Sequence, residues 1–135
     1  IYYVGPVDPV KDEAVGPAGP TTATRMDKFT DYILQETGLA GMIGKAERGP
    51  VAVEAIKKHG AVYLMAGGGG AHLVSPAVTK AEGGAFEDLG MEAIYAFTVR
   101  DMPVSVAVDS QGESVHVTGP QIWKVQIEEQ ALELI

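Results

Sequence analysis

"GPAGPTTATRMDKFTDYILQETGLAGMIGK", residues 16–45, carries the chain from a restricted loop through one periodicity into another. From Met26 the apolar residues fall at helical spacing: Met26, Phe29 and Ile33, with Tyr32 and Leu34 flanking. That spacing predicts a helix from about Thr24 to Glu36, stopped at Gly38. Thr24 with Asp27 three positions on resembles a capping box, with Asp in place of the usual Glu or Gln. "LAGMIGK", residues 39–45, is a short apolar segment with glycines and predicts a strand running into a loop. Ahead of the helix, Gly16, Pro17, Gly19 and Pro20 restrict the backbone that delivers Thr21, Thr22 and Arg25 to the helix mouth.

The same alternation continues outward. "IYYVG", residues 1–5, is β-branched and aromatic, and predicts a strand. Residues 6–20 hold Pro6, Pro9, Pro17 and Pro20 and read as a loop. "GPVAVEAIKKHG", residues 49–60, predicts a second helix. Pro50 suits its first turn, Val53 and Ile56 its inner face, and Lys57, Lys58 and His59 its last turn, before Gly60 ends it. "AVYLMA", residues 61–66, predicts a buried strand, and "GGGGAHLVSPAVTKAEGG" a long glycine-rich connection with one helical turn. Two further strands are expected at about 93–99 and 103–109, followed by a turn at Ser110-Gln111-Gly112. The closing "IWKVQIEEQALELI" fits a strand or a helix equally. Helices alternate with strands in the first half and strands cluster in the second, so the expected class is an α/β layered domain without internal repeats.

Composition narrows the function. The chain has 135 residues, suited to one domain with one core. It is 46% hydrophobic and 21% charged, and no apolar run nears the roughly 20 residues of a membrane helix. A net charge of -8, with basic residues scattered, argues against nucleic acid as a partner. With no cysteine, the chain has neither disulfide nor thiol nucleophile, and no thiolate with which to hold zinc or an iron–sulfur cluster. A cytoplasmic setting without a membrane is expected. Because the sequence opens on Ile1 within a strand-like run, a preceding segment is expected as well.

Several clusters are candidate sites, each with a plainer reading beside it. A helix N-terminus carries unpaired amide N–H groups and partial positive charge, which suits an anion. Thr21 and Thr22 add hydroxyls there, and Arg25 adds a fork able to grip a carboxylate at two points. The plain alternative is that Thr22 or Thr24 caps the helix while Arg25 pairs with Asp27 or Asp31. Lys45, at the end of an apolar segment, could reach a second carboxylate or simply be a solvated loop lysine. It is not part of a phosphate loop, because alanine follows it. The glycines at 67–70 invite a nucleotide reading, but Pro76 and Gly83-Gly84 break the segment where the dinucleotide fingerprint needs a helix. His72 beside them is a proton carrier or a surface histidine, and His59, His72 and His116 lack metal-ligand spacing. Glu87, Asp88 and Glu92 read as a solvated turn entering a strand, and Trp123 is expected in the core or at an interface.

The runs "IYYVGPVDP", "GPAGPTTATRMDKFTDYILQETGLAGMIGK", "MAGGGGAH" and "FEDLGMEAIYAFTVRDMPVSVAVDSQGES" together resemble the β subunit, or C-terminal domain, of iron–sulfur class I fumarate hydratases and L-tartrate dehydratases. The resemblance spans nearly the whole chain, and "GPTTATRMD" with "GMIGK" is its most specific part. It implies a swivelling β/β/α layered domain with a mixed sheet and flanking helices. It implies a hydro-lyase that interconverts fumarate and L-malate, or dehydrates tartrate, and is inactive without an α partner. The [4Fe-4S] cluster is then held by cysteines of that α subunit, with the dicarboxylate substrate bound to it, in an oligomeric assembly. In the family motif Thr21 is implicated in proton transfer alongside an acidic residue of the α part, and Arg25 and Lys45 bind substrate carboxylates. The family has a further substrate-binding arginine earlier in the β part, and no position of this sequence matches it. From another class stands the alternative of a non-catalytic small-anion-binding or regulatory module using the same residues.

Overall fold

The computed structural model describes residues 1–67 and 71–133. A 3-10 turn at Thr24–Met26 leads directly into helix α1, Asp27–Thr37. Gly38 ends it with a left-handed φ of 63°, and its amide donates to Leu34 O. The face that α1 buries differs from the predicted one. Thr30 and Leu34 are buried, whereas Phe29 and Tyr32 are exposed. The stripe is displaced because the Thr30 hydroxyl meets a buried arginine, Arg48, which the apolar pattern does not reveal.

Strand β1, Gly41–Gly44, follows, then helix α2, Pro50–His59, and strand β2, Val62–Met65. Pro50 occupies the first turn of α2, and Gly60, at φ 64°, ends it. The strands β1 and β2 pair in parallel, Met42 with Tyr63 and Ile43 with Leu64. Strand β5, Ser105–Val108, adds antiparallel to β2, which makes a mixed sheet in the order β1-β2-β5. Successive strand residues face opposite sides. Met42 and Tyr63 therefore point to the helices, where they pack with Leu34, Ala55, Ile56 and Val108 in the main core. Each large apolar side chain buried there contributes about 1.5–3 kcal/mol relative to exposure.

The other sheet face carries Ile43 and Leu64. They line a cleft of roughly 550 Å³ opposite Ile94, Tyr95, Phe97 and Val99. The latter belong to a two-stranded ribbon, β3 (Val78–Ala85) paired antiparallel with β4 (Ile94–Val99). The layers are thus ribbon, mixed sheet and helices, an α/β arrangement of the expected kind.

Two expectations change, and one left open is settled. Residues 1–5 do not form a continuous strand. Tyr2 bridges Ile43 and Val4 bridges Pro20, because the Tyr3 carbonyl turns away from β1 toward Thr21. The connection after β2 contains the expected helical turn but ends in a strand. A short helix, α3 (Ala71–Val74), and a 3-10 turn at Ser75–Ala77 lead into β3. The glycines and charges of "VTKAEGGA" hide that strand, which exists through its pairing with β4. The closing segment is a helix, α4 (Val115–Glu133), with Pro120 inside it and residues 121–130 all exposed. Trp123 is 64% exposed and so lies outside the core. Among the described residues, no helix is long and apolar enough to cross a membrane.

Candidate functional site

The two sequence motifs meet through their backbones. Thr22 and Lys45 form a parallel bridge. The Lys45 amide donates to Thr21 O at 2.9 Å, and the Ala23 amide donates to Lys45 O at 3.1 Å. Residues 21–23 thus lie along the chain just beyond β1, with Arg25 in the first turn that follows. Close approach is needed. A Cβ on Gly44 would sit 2.9 Å from Ala23 Cβ and 3.1 Å from the Tyr63 hydroxyl, so glycine alone fits there.

Thr21 is half-buried. Its amide donates to Tyr3 O at 2.8 Å and its hydroxyl donates to the same carbonyl at 3.1 Å. The hydroxyl hydrogen is therefore engaged while the oxygen keeps its lone pairs for another donor. Arg25 and Lys45 are exposed, and neither makes an ion pair or side-chain hydrogen bond among the described residues. The plain reading of Arg25 is overturned by where its expected partners go. Asp27 binds Arg48, and Asp31 binds Lys58 and lies 2.8 Å from His59 Nε2. Those contacts, with Lys58 first, hold the Asp31 carboxyl below its ordinary pKa. The capping box does not form either. The Thr24 hydroxyl donates to Glu47 O at 2.7 Å, and Asp27 faces the following loop.

Arg48 is the group that sequence reasoning missed. Its side chain is fully buried. Nε donates to Asp27 Oδ1 at 2.6 Å, and one terminal nitrogen donates to Thr30 Oγ1 at 2.6 Å. The other lies 3.6 Å from Met42 Sδ. The guanidinium also stands 5.1 Å from the Tyr63 ring centre and 5.7 Å from that of Tyr3, within cation–π range. Asp27 Oδ2 in turn accepts from the Gly49 amide at 2.7 Å. Tyr63 donates its hydroxyl to Ala46 O at 2.9 Å, and burial pushes its pKa to about 12. A lone arginine in a loop ordinarily reads as a surface residue, so no sequence signal marked it.

Other candidates separate from this site. The Glu87–Glu92 acids form an exposed 3-10 turn before β4. Most of the glycine run, 68–70, and the His72 side chain lie outside the described residues. The helix after that run, Ala71–Val74, has only four residues, too short for a dinucleotide site. Among the described residues no group of His, Asp and Glu has metal-binding geometry, and the sequence has no cysteine. The residues present therefore do not fit an iron–sulfur cluster of this chain's own.

The family model described as "Fumarase C-terminus" matches residues 1–119. The chain belongs to the fumarase C-terminus family. Within it, this chain is 39% identical over 113 residues to "Fumarate hydratase class I, aerobic" of Salmonella typhimurium, covering 83% of this chain and 20% of that protein. It is 37% identical over 117 residues to "Fumarate hydratase 2" of Leishmania major, covering 86% and 21%. It is also 33% identical over 121 residues to a Methanocaldococcus jannaschii protein whose name proposes an L(+)-tartrate dehydratase subunit beta, covering 86% and 62%. The chain thus spans about a fifth of the fumarate hydratases it matches and under two thirds of the tartrate dehydratase relative.

Proposed function

We propose that this chain is the β part of a hydro-lyase that adds water to fumarate to give L-malate, or dehydrates tartrate. In this reading an α partner holds the [4Fe-4S] cluster and the active enzyme is an oligomer of the two parts in the cytoplasm. The supporting observation is the pairing of residues 21–23 with Lys45, which sets two exposed cations beside one half-buried hydroxyl. A dicarboxylate carries two negative charges, and Arg25 and Lys45 are two exposed groups of opposite sign without partners among the described residues. The relatives' names, fumarate hydratase and tartrate dehydratase subunit, favour a dicarboxylate over a phosphate.

This chain's residues have distinct tasks. Arg25 and Lys45 bind and orient the dianion, and they offset charge that develops beside a carboxylate as the neighbouring carbon loses its proton. Thr21 carries that proton. An alcohol is a weak base, so Thr21 needs an ionised carboxylate to take its own hydroxyl proton as it accepts the one from carbon, and in this reading an acidic residue of the partner does so. The Tyr3 carbonyl fixes the hydroxyl's orientation in the meantime.

The test is anaerobic reconstitution with the cluster-bearing partner, followed by assays on fumarate and tartrate. Thr21→Ala is expected to lower kcat by about two orders of magnitude or more with little change in KM. Arg25→Met and Lys45→Met are expected to raise KM as well. If all three variants keep the kinetics of the unaltered enzyme, the assignment fails. Binding without turnover on either substrate would favour a non-catalytic anion module.

A further inference from the structure

The turn after Lys45 is tied to the segment that carries Arg25 by a set of polar contacts the catalytic reading does not use. Asp27 Oδ2 holds the Gly49 amide at 2.7 Å, and Thr24 Oγ1 holds the Glu47 carbonyl at 2.7 Å. Arg48 spans the same gap from within, bonded to Asp27 and Thr30 of α1 and packed on Tyr63 of β2. Ala46 sits between Lys45 and this clamp at a left-handed φ of 67°, a conformation that L residues adopt only when surroundings impose it. Its carbonyl is held by the Tyr63 hydroxyl. The turn is therefore not free to choose its path, and Lys45 leaves it at one end while Arg25 lies two residues before Asp27.

We propose that Arg48 and Asp27 are positioning residues: their buried ion pair locks the 46–49 turn onto the start of α1 and so fixes the spacing between Lys45 and Arg25. This rests on the reading that those two cations bind the substrate. A dianion of fixed length is gripped well only when two flexible side chains start from anchor points at the right separation. Small displacements of such anchors cost rate and affinity steeply. Neither is assigned a contact with substrate: the Arg48 side chain is fully covered, and both Asp27 oxygens are taken up by Arg48 and the Gly49 amide.

The test uses the complete enzyme with its cluster-bearing partner. Arg48→Lys keeps the charge but loses the planar fork, and Asp27→Asn keeps an acceptor for Gly49 but loses the ion pair. Thr24→Val removes an exposed tie between the same segments and carries the least risk to folding. For each, KM for fumarate, kcat per intact cluster and the calorimetric Kd of succinate, an unreactive dicarboxylate, are measured alongside Tm. Positioning predicts that KM and Kd rise about tenfold to a hundredfold for Arg48→Lys and Asp27→Asn. For Thr24→Val it predicts a rise of about threefold. A purely structural role predicts a lower yield of folded enzyme with KM and Kd within about twofold of the original, and that result overturns the proposal. If Arg48→Lys does not fold, Asp27→Asn and Thr24→Val decide on the same criterion. Arg25→Met and Lys45→Met serve as the reference. Should they raise KM and Kd while the clamp variants do not, this inference alone fails. Should they change nothing, the site reading falls and this inference with it.

Discussion

The 46–49 turn and the ledge beside it, residues 21–25 with Lys45, share a border and treat their side chains in opposite ways. In the turn, Arg48 is buried and bonded to Asp27 and Thr30, and the main chain of Ala46, Glu47 and Gly49 is held by Tyr63, Thr24 and Asp27. On the ledge the backbone is just as firmly tied, through Thr21, Ala23 and Lys45, yet Arg25 and Lys45 extend into solvent. Two arginines of one chemical type thus do different things. One is buried and bonded within the fold, and the other stands exposed with no partner among the described residues. A rigid backbone beneath unengaged cations costs little to organise at the moment of binding, which is the physical sense of preorganisation.

The sharpest way to break the comparison is to remove each arginine in turn. Arg48→Met leaves the Asp27 carboxylate enclosed without its partner and is expected to cost about 3–5 kcal/mol of unfolding free energy. Arg25→Met is expected to stay within about 0.5 kcal/mol. Denaturant unfolding of both measures the contrast, and equal losses would dissolve it. Gly44→Ala comes next. The new Cβ meets Ala23 and the Tyr63 hydroxyl, and overpacking of this kind costs about 1–3 kcal/mol. A crystal structure of that variant is expected to show residues 21–23 shifted away from Lys45.

Smaller and more diagnostic is Tyr63→Phe, which removes the bond to Ala46 O and costs about 1 kcal/mol near neutral pH. Tyr63 has its folded pKa raised from 10.0 to about 12. A raised pKa contributes stability that is complete below the unfolded value of 10.0. It is lost as pH climbs toward about 12, because the unfolded chain ionises first. The original protein therefore loses stability over that window faster than Tyr63→Phe, and the gap between them narrows. A constant gap from pH 9 to pH 11 would show the hydroxyl to be less enclosed than it stands here. A gain, smaller than the losses above, is expected at Ala46, where replacement by glycine relieves the left-handed backbone. The gain is about 0.5–1 kcal/mol after the extra freedom of the unfolded glycine is counted. A loss there would mean that the turn gains nothing from relief at that residue.

Much of the fold was legible because it depends on short-range chemistry. Gly38 and Gly60 end their helices with left-handed φ, Pro50 starts α2, and the apolar runs at 41–44 and 62–65 are strands. Strand β3 was not legible. Its sequence is rich in glycine and charge, and it is a strand because β4 offers hydrogen bonds along its length. The same limit hid the site's support. Thr21, Arg25 and Lys45 stand out as residue types in recognisable motifs, but Arg48 looks like any loop arginine, and Asp27 looks like a helix-start acid with Arg25 as its neighbour. Choosing Arg48 over Arg25 as the partner of Asp27 depends on which guanidinium the fold buries, and spacing along the chain does not encode that.

The sequence by itself determined the helices α1 and α2 and the strands beside them, the absence of thiol ligands, and the pair of motifs that carry cations and a hydroxyl. Tertiary structure alone decided that those motifs adjoin, because backbone hydrogen bonds between Thr21, Ala23 and Lys45 join segments distant in sequence. It also decided which charges are used up in the interior. A charge enters a low-dielectric core only with a partner at hydrogen-bonding distance, and that partner is supplied by the assembled fold.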